Sequence, residues 1–178
     1  MKKLFLRFMV SMAIITPFVL ASYSDDNDEP TVPPVTESEL SGSIKTSKTL
    51  DANITYTITG PVIVEDGATL TIPAGTVIKA EKGFSNYILV LQGGKIYVNG
   101  TADKPVVMTA DISNAEAGHW GGLVINGRAP LAGNTTGSTE INAAYIYGGN
   151  TPADNSGSIT YLKLEFTGAK SSADVEHN

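Results

Sequence analysis

Carboxylates next to bases, and exposed aromatic rings, are the groups through which this chain could cut a polymer or grip one. Acidic polysaccharides are cleaved with carboxylate-held calcium or carboxylate acid–base work, plus a basic residue that takes a proton. The candidates for such chemistry are Glu65-Asp66, Asp103-Lys104, Asp111, Arg128, Asp154 and the pair Lys163 and Glu165. Each has a simpler reading. Glu65-Asp66 precedes Gly67 and Asp103-Lys104 precedes Pro105, which is turn chemistry. Lys163 and Glu165 alternate onto the outward face of one strand as a solvated ion pair. Asp154-Asn155-Ser156 could ligate calcium, or hold a loop through Asx turns. His119 and His177 are too few and too isolated for a metal site or a triad, and His119 beside Trp120 reads as a loop residue. No Gly-x-Ser-x-Gly elbow activates a serine, and no glycine-rich loop leads into a helix to cradle phosphate. The expectation is therefore no catalytic residue, no metal ligand set and no cofactor.

Binding has a firmer basis. Tyr145 and Tyr147 flank Ile146 on an expected strand, so an inward Ile146 would turn both rings outward to stack on sugar rings, with Trp120 a third candidate. The alternative is an aromatic stack that covers the coil or packs under a loop.

These side chains must be positioned by strands. Apolar residues make up 42% of the 178-residue chain and aromatics only 7%, with 18 glycines, which favours many turns and small or β-branched packing. Ile54, Tyr56 and Ile58 alternate with Thr55, Thr57 and Thr59, and Leu70 and Ile72 with Thr69 and Thr71. Ile96 and Val98 alternate with Lys95 and Asn99, and Leu162, Leu164 and Phe166 with Tyr161, Lys163 and Glu165. This is the period of half-buried strands; no helical period is sustained beyond the first 20 residues. The strands also repeat. VIVEDGATLTIPAGT from Val62 superposes on ILVLQGGKIYVNGT from Ile88, with Gly67 over Gly93, Leu70 over Ile96 and Ile72 over Val98, and Gly75-Thr76 answering Gly100-Thr101. A period in the twenties is that of a stacked repeat. A leucine-rich horseshoe would show regular leucines and a helical half, both missing here. The pattern predicts an all-β, parallel β-helix of about five coils from Ile44 onward, its rungs about 4.8 Å apart with aligned inward Ile, Val and Leu. Residues 111–119, 132–142 and 148–157 are polar and read as loops protruding from it.

The amino-terminal segment reads differently. Lys2, Lys3 and Arg7 precede the uncharged run Phe8 to Leu20, about thirteen residues against the roughly twenty of a spanning helix. That is the layout of a signal peptide over residues 1–21, cut between Ala21 and Ser22; the alternative is an uncleaved inner-membrane anchor. Residues 22–43, with Asp25, Asp26, Asp28, Glu29 and three prolines, form an expected disordered acidic tether. Cleavage would leave nine basic against 18 acidic residues, a net charge of −9. Such a surface does not grip nucleic acid, and the mature chain would have no membrane span. The absence of cysteine excludes disulfides and thiolate chemistry.

The blocks VEDGATLTIPAGTVIKA, GGKIYVNGTADKPVVMTA, GHWGGLVINGRAPL and YGGNTPADNSGSITYLKLEFTGA resemble the exported right-handed β-helix proteins of the Bacteroidota, many of them surface lipoproteins. The resemblance implies a right-handed coil and no particular activity. It has two departures. Tyr23 stands where such lipoproteins carry the lipid-bearing cysteine, which implies an exported protein without that anchor, periplasmic, secreted or at the cell surface. Such proteins also continue for more coils, so the chain reads as an N-terminal fragment whose open coil end invites self-association. The functional expectation is a non-catalytic scaffold that contacts a glycan or an envelope protein. Two alternatives stay open: the first part of a polysaccharide lyase or hydrolase, and a truncated product without a function of its own.

Overall fold

A computed structural model describes residues 38–172, apart from 134. The expected signal peptide with Ala21, Ser22 and Tyr23, most of the tether, and His177 lie outside the described residues. Those described form β1 (Glu39–Ile44), β2 (Lys48–Thr49), β3 (Thr55–Val64), β4 (Thr69–Pro73), β5 (Val77–Ala80), β6 (Gly83–Val90), β7 (Lys95–Asn99), β8 (Val106–Ala110), β9 (Trp120–Ile125), β10 (Gly137–Ser138), β11 (Ile146–Tyr147), β12 (Gly157–Thr160) and β13 (Leu162–Leu164). None of them is helical, and so none supplies a helix long and apolar enough to cross a membrane.

The strands wind into a right-handed parallel β-helix with three faces. On the first face β1, the first half of β3, β5, β8 and β13 stack as five rungs. On the second, β1 stacks on the second half of β3, then β6 and β9. On the third, β2, β4, β7 and β12 follow one another. Every one of these pairings is parallel, as the stacking of successive turns of one coil requires. Five rungs on the longest face agree with the expected number of coils.

Register follows the sequence repeat. Val62 pairs with Ile88, Leu70 with Ile96 and Ile72 with Val98. The alternation that makes β4 and β7 recognisable places Leu70, Ile72, Ile96 and Val98 inside, each at most 1% exposed, and leaves Thr69, Thr71, Lys95 and Tyr97 half-buried on the outside. The inward residues join one apolar core that runs the length of the coil from Leu40 to Trp120. Each such side chain contributes roughly 1.5–3 kcal/mol by leaving water.

Two expectations need correction. The coil begins before Ile44: Glu39–Ile44 is already a strand, and Leu40 is buried against the core because it pairs with Ile58. The Gly75-Thr76 corner stacks on Lys104 and Val107, not on Gly100-Thr101. The Thr101–Lys104 turn, closed by hydrogen bonds between those two residues, is inserted at that corner and displaces the match.

Candidate functional site

Tyr87 and Leu89 alternate with Ile88 and Val90, so they point out of the coil, yet they are 6% and 0% exposed. A long excursion after β9 accounts for this. Tyr145, part of that excursion, hydrogen-bonds Tyr87, and burial followed by the neighbouring Tyr145 pushes the Tyr87 phenol up to about 12. Two amide side chains, the half-buried Gln92 and the buried Asn126, fix the excursion to the coil corner. Gln92 Nε2 donates to the carbonyls of Gly127 (2.9 Å) and Gly148 (2.6 Å), and Asn126 Nδ2 donates to the carbonyl of Ile146 (3.1 Å). The Gly148 N–H closes the loop on Gly127 O at 2.8 Å. Asn126 is only 1% exposed, so its amide must be satisfied by such a partner. On the far side Asp154 accepts from the Arg128 N–H at 2.7 Å, while the Arg128 side chain reaches Asp66 at 3.3 Å in the open, where an ion pair contributes little.

Within the excursion β10 and β11 form a short antiparallel ribbon pairing Gly137 with Tyr147 and Ser138 with Ile146. A Cβ on Gly137 would lie 2.6 Å from Tyr147 Cζ, so a larger residue there would have to displace the ring. Between the ribbon and the end of β9 opens a cleft of about 480 Å³, walled by Val124, Ile125 and Leu131 and edged by Ser138, Glu140 and Tyr147. Its wall is apolar and its rim carries hydroxyl and carboxylate groups.

The three rings expected to share a surface do not. Tyr147 is 37% exposed at the cleft. Tyr145 is half-buried and engaged by Tyr87. Trp120 is wholly buried, its Nε1 donating to the Glu165 carbonyl at 2.8 Å, because it opens β9 in register with Gly83 and faces the core. Nor does Ile146 point inward: it is 45% exposed on a ribbon that stands off the coil.

A model of the pectate-lyase-like β-helix domain matches residues 42–178. The chain belongs to this family. Comparison with curated proteins and with solved structures returned no match. In this pectate-lyase-like domain Asp66 and Asp154 meet at Arg128, one on its side chain and one on its backbone N–H, while Asp111 pairs with His119 and Glu165 with Lys163. Glu65 closes a turn through its carbonyl on the Ala68 N–H, and Asn155 caps an Asx turn on Gly157 at 2.8 Å. Lys163 and Glu165 form their outward ion pair at 2.8 Å, and that contact, with a hydrogen bond from Thr109, lowers the Glu165 pKa.

His119 is a loop residue, as expected, and is held tightly within that loop. It is 5% exposed, its Nε2 is 2.9 Å from Asp111 Oδ1, and its backbone bridges Gly83 and Phe166. A separation of eight residues in an irregular loop gives no periodic signal for that pair. Among the described residues no group of three His, Asp or Glu is placed to hold a metal ion. Gln92, Asn126 and Gly127, which build the cleft corner, were not singled out by sequence. The Asn-Gly pair after a buried strand is the one local sign of them.

Proposed function

We propose that this pectate-lyase-like β-helix domain is an exported, non-catalytic scaffold that binds a neutral stretch of glycan in the cleft beside Tyr147. The cleft itself carries this reading: one partly exposed aromatic ring stands beside an apolar wall, with hydroxyl and carboxylate groups along the rim. A pyranose has an apolar face of C–H groups and an equatorial belt of hydroxyls, so the ring takes the face while Ser138, Thr139 and Glu140 take the belt. Export rests on the charged start and the apolar run of residues 1–20. Glycan-array binding by the 178-residue chain tests the reading. Tyr147→Ala should abolish the signal and Tyr147→Phe should keep most of it, with far-UV circular dichroism unchanged. Binding that survives Tyr147→Ala, or an array without hits, would overturn it.

A second reading has one observation in its favour, the pectate-lyase-like description of the family. On it the domain cuts a uronate polymer. Appearance of unsaturated product from polygalacturonate with the purified chain would establish that reading and displace the scaffold.

A further inference from the structure

Three stretches of the chain carry asparagine followed two residues later by threonine with no proline between: Asn53-Ile54-Thr55, Asn99-Gly100-Thr101 and Asn134-Thr135-Thr136. In an exported chain this spacing is the acceptor pattern for an asparagine-linked glycan. The structure tells the first two apart, and Asn134 lies outside the described residues.

Asn99 ends β7 within the coil wall, in register with Pro73 on one side and Thr160 on the other. The N–H of the buried Gly100 donates to the Thr160 carbonyl at 3.0 Å, and the Thr101 hydroxyl already accepts from the Lys104 N–H at 3.1 Å. A transferase would have to break this rung to take hold of both the carboxamide and the hydroxyl.

Asn53 stands in an exposed turn between β2 and β3, where Asp51, Ala52, Asn53 and Thr55 all face solvent. The Ile54 N–H closes the turn on the Asp51 carbonyl at 3.1 Å. Asp51 Oδ1 accepts from the Asn53 N–H and from Asn53 Nδ2, each at 2.9 Å. This holds the carboxamide at the surface by its nitrogen and draws on a proton of that nitrogen. Thr55 opens β3 on its outward side, since Tyr56 and Ile58 are buried in the core, and among the described residues its hydroxyl has no partner. Neither other asparagine has an acid two residues before it: Tyr97 and Ala132 occupy those positions.

We infer that Asn53 is the attachment site of an N-linked glycan, presented by Asp51 and Thr55. In the transfer Asn53 Nδ2 attacks the anomeric carbon of a glycan carried on a lipid pyrophosphate. The C–O bond to the pyrophosphate breaks, the lipid pyrophosphate leaves with the bonding pair, and one Nδ2 proton passes to a carboxylate base of the transferase. An asparagine amide nitrogen carries two hydrogens. The second can keep the bond to Asp51, so the turn survives modification and the glycan extends into solvent.

The test uses the full chain purified from the envelope and culture medium of the organism that makes it. Intact mass, and peptide mapping by electron-transfer fragmentation, which leaves sugars on their side chains, read the added mass and its position. The peptide containing Asn53 should carry a glycan and the one containing Asn99 should not. Asn53→Gln and Thr55→Ala should each lose the added mass completely, Thr55→Ser should keep it, and Asp51→Ala should leave most chains unmodified. Circular dichroism establishes that each variant is folded. An exported chain bare at Asn53, a glycan at Asn99 or Asn134 in its place, or unchanged occupancy in Thr55→Ala or Asp51→Ala would overturn the assignment. A chain that stays unmodified in the cytoplasm would overturn it together with the export on which it rests.

Discussion

One column of the coil supplies an internal control for the stacking. Ile72 and Ile159 lie in the same inward column, separated by Val98, and both can be cut to alanine. Ile72 is fully buried. Removing its three outer carbons loses roughly 2.4 kcal/mol of transfer free energy, at about 0.8 kcal/mol per buried group. The cavity left between fixed rungs adds about 1–2 kcal/mol, for a total of about 3.5–4.5 kcal/mol. Ile159, 44% exposed, forfeits only the buried part of the same transfer term, about 1.3 kcal/mol, and leaves no cavity because solvent reaches the site. Urea unfolding followed by circular dichroism, at a protein concentration where the chain is monomeric, measures both. With a slope of about 2 kcal/mol per molar urea, Ile72→Ala lowers the midpoint by about 2 M and Ile159→Ala by about 0.6 M. Equal shifts would refute the reasoning, since they would mean that the last rung is as enclosed as the middle of the column.

Other positions give sharper local readouts. Asn126→Ala leaves the Ile146 carbonyl unpaired inside the corner and should cost about 1–3 kcal/mol, with faster amide exchange at Gly148 as its signature. Gly157 holds φ +119°, and a side chain there would be driven onto the Ile96 carbonyl, so Gly157→Ala should detach β12 and lower the thermal midpoint sharply. Tyr87, raised to about 12, should resist ionisation in spectrophotometric titration. Because its folded pKa lies above the unfolded value of about 10, its contribution is intact below that pH and is lost as pH rises toward about 12; Tyr145→Phe should narrow that window. Glu165 is shifted the other way, so its contribution is present above the ordinary carboxylate range and lost as pH falls through its lowered pKa. Glu165→Gln should remove that acid-side step from the stability profile.

The coil was legible because its core is a set of columns, and columns impose a spacing on the chain. Val62 over Ile88 and Leu70 over Ile96 can be read from letters alone, since each inward position must refill the same space one rung later. The site was not legible for the opposite reason. Gln92 reaches carbonyls 35 and 56 residues away, and nothing periodic links partners that meet through a loop. Tyr145-Ile146-Tyr147 has the alternation of a coil strand, yet β11 is two residues long and pairs with β10, so three letters could not distinguish a rung from a ribbon. Trp120 misled through its neighbours: it stands between a polar loop and a glycine pair, but it is the first inward residue of β9 and belongs to the core.

The position of the cleft follows from how the coil absorbs length. On the first face Thr55 stacks on Val77, Val77 on Val107, and Val106 on Leu162, so the chain spends 22, then 30, then 56 residues per turn. The added residues cannot enter the core, because the columns are already filled at close-packed density. They are tolerated because the closure cost of a longer loop grows only by about 0.6 kcal/mol per doubling, provided both ends are held. Gln92 and Asn126 hold one end and Asp154 the other. Each earlier described turn keeps a shorter path, so the last described turn alone carries a ribbon long enough to enclose a cleft. The stable part of the molecule and its candidate binding surface thus depend on different residues, and a substitution at Tyr147 tests the second without disturbing the first.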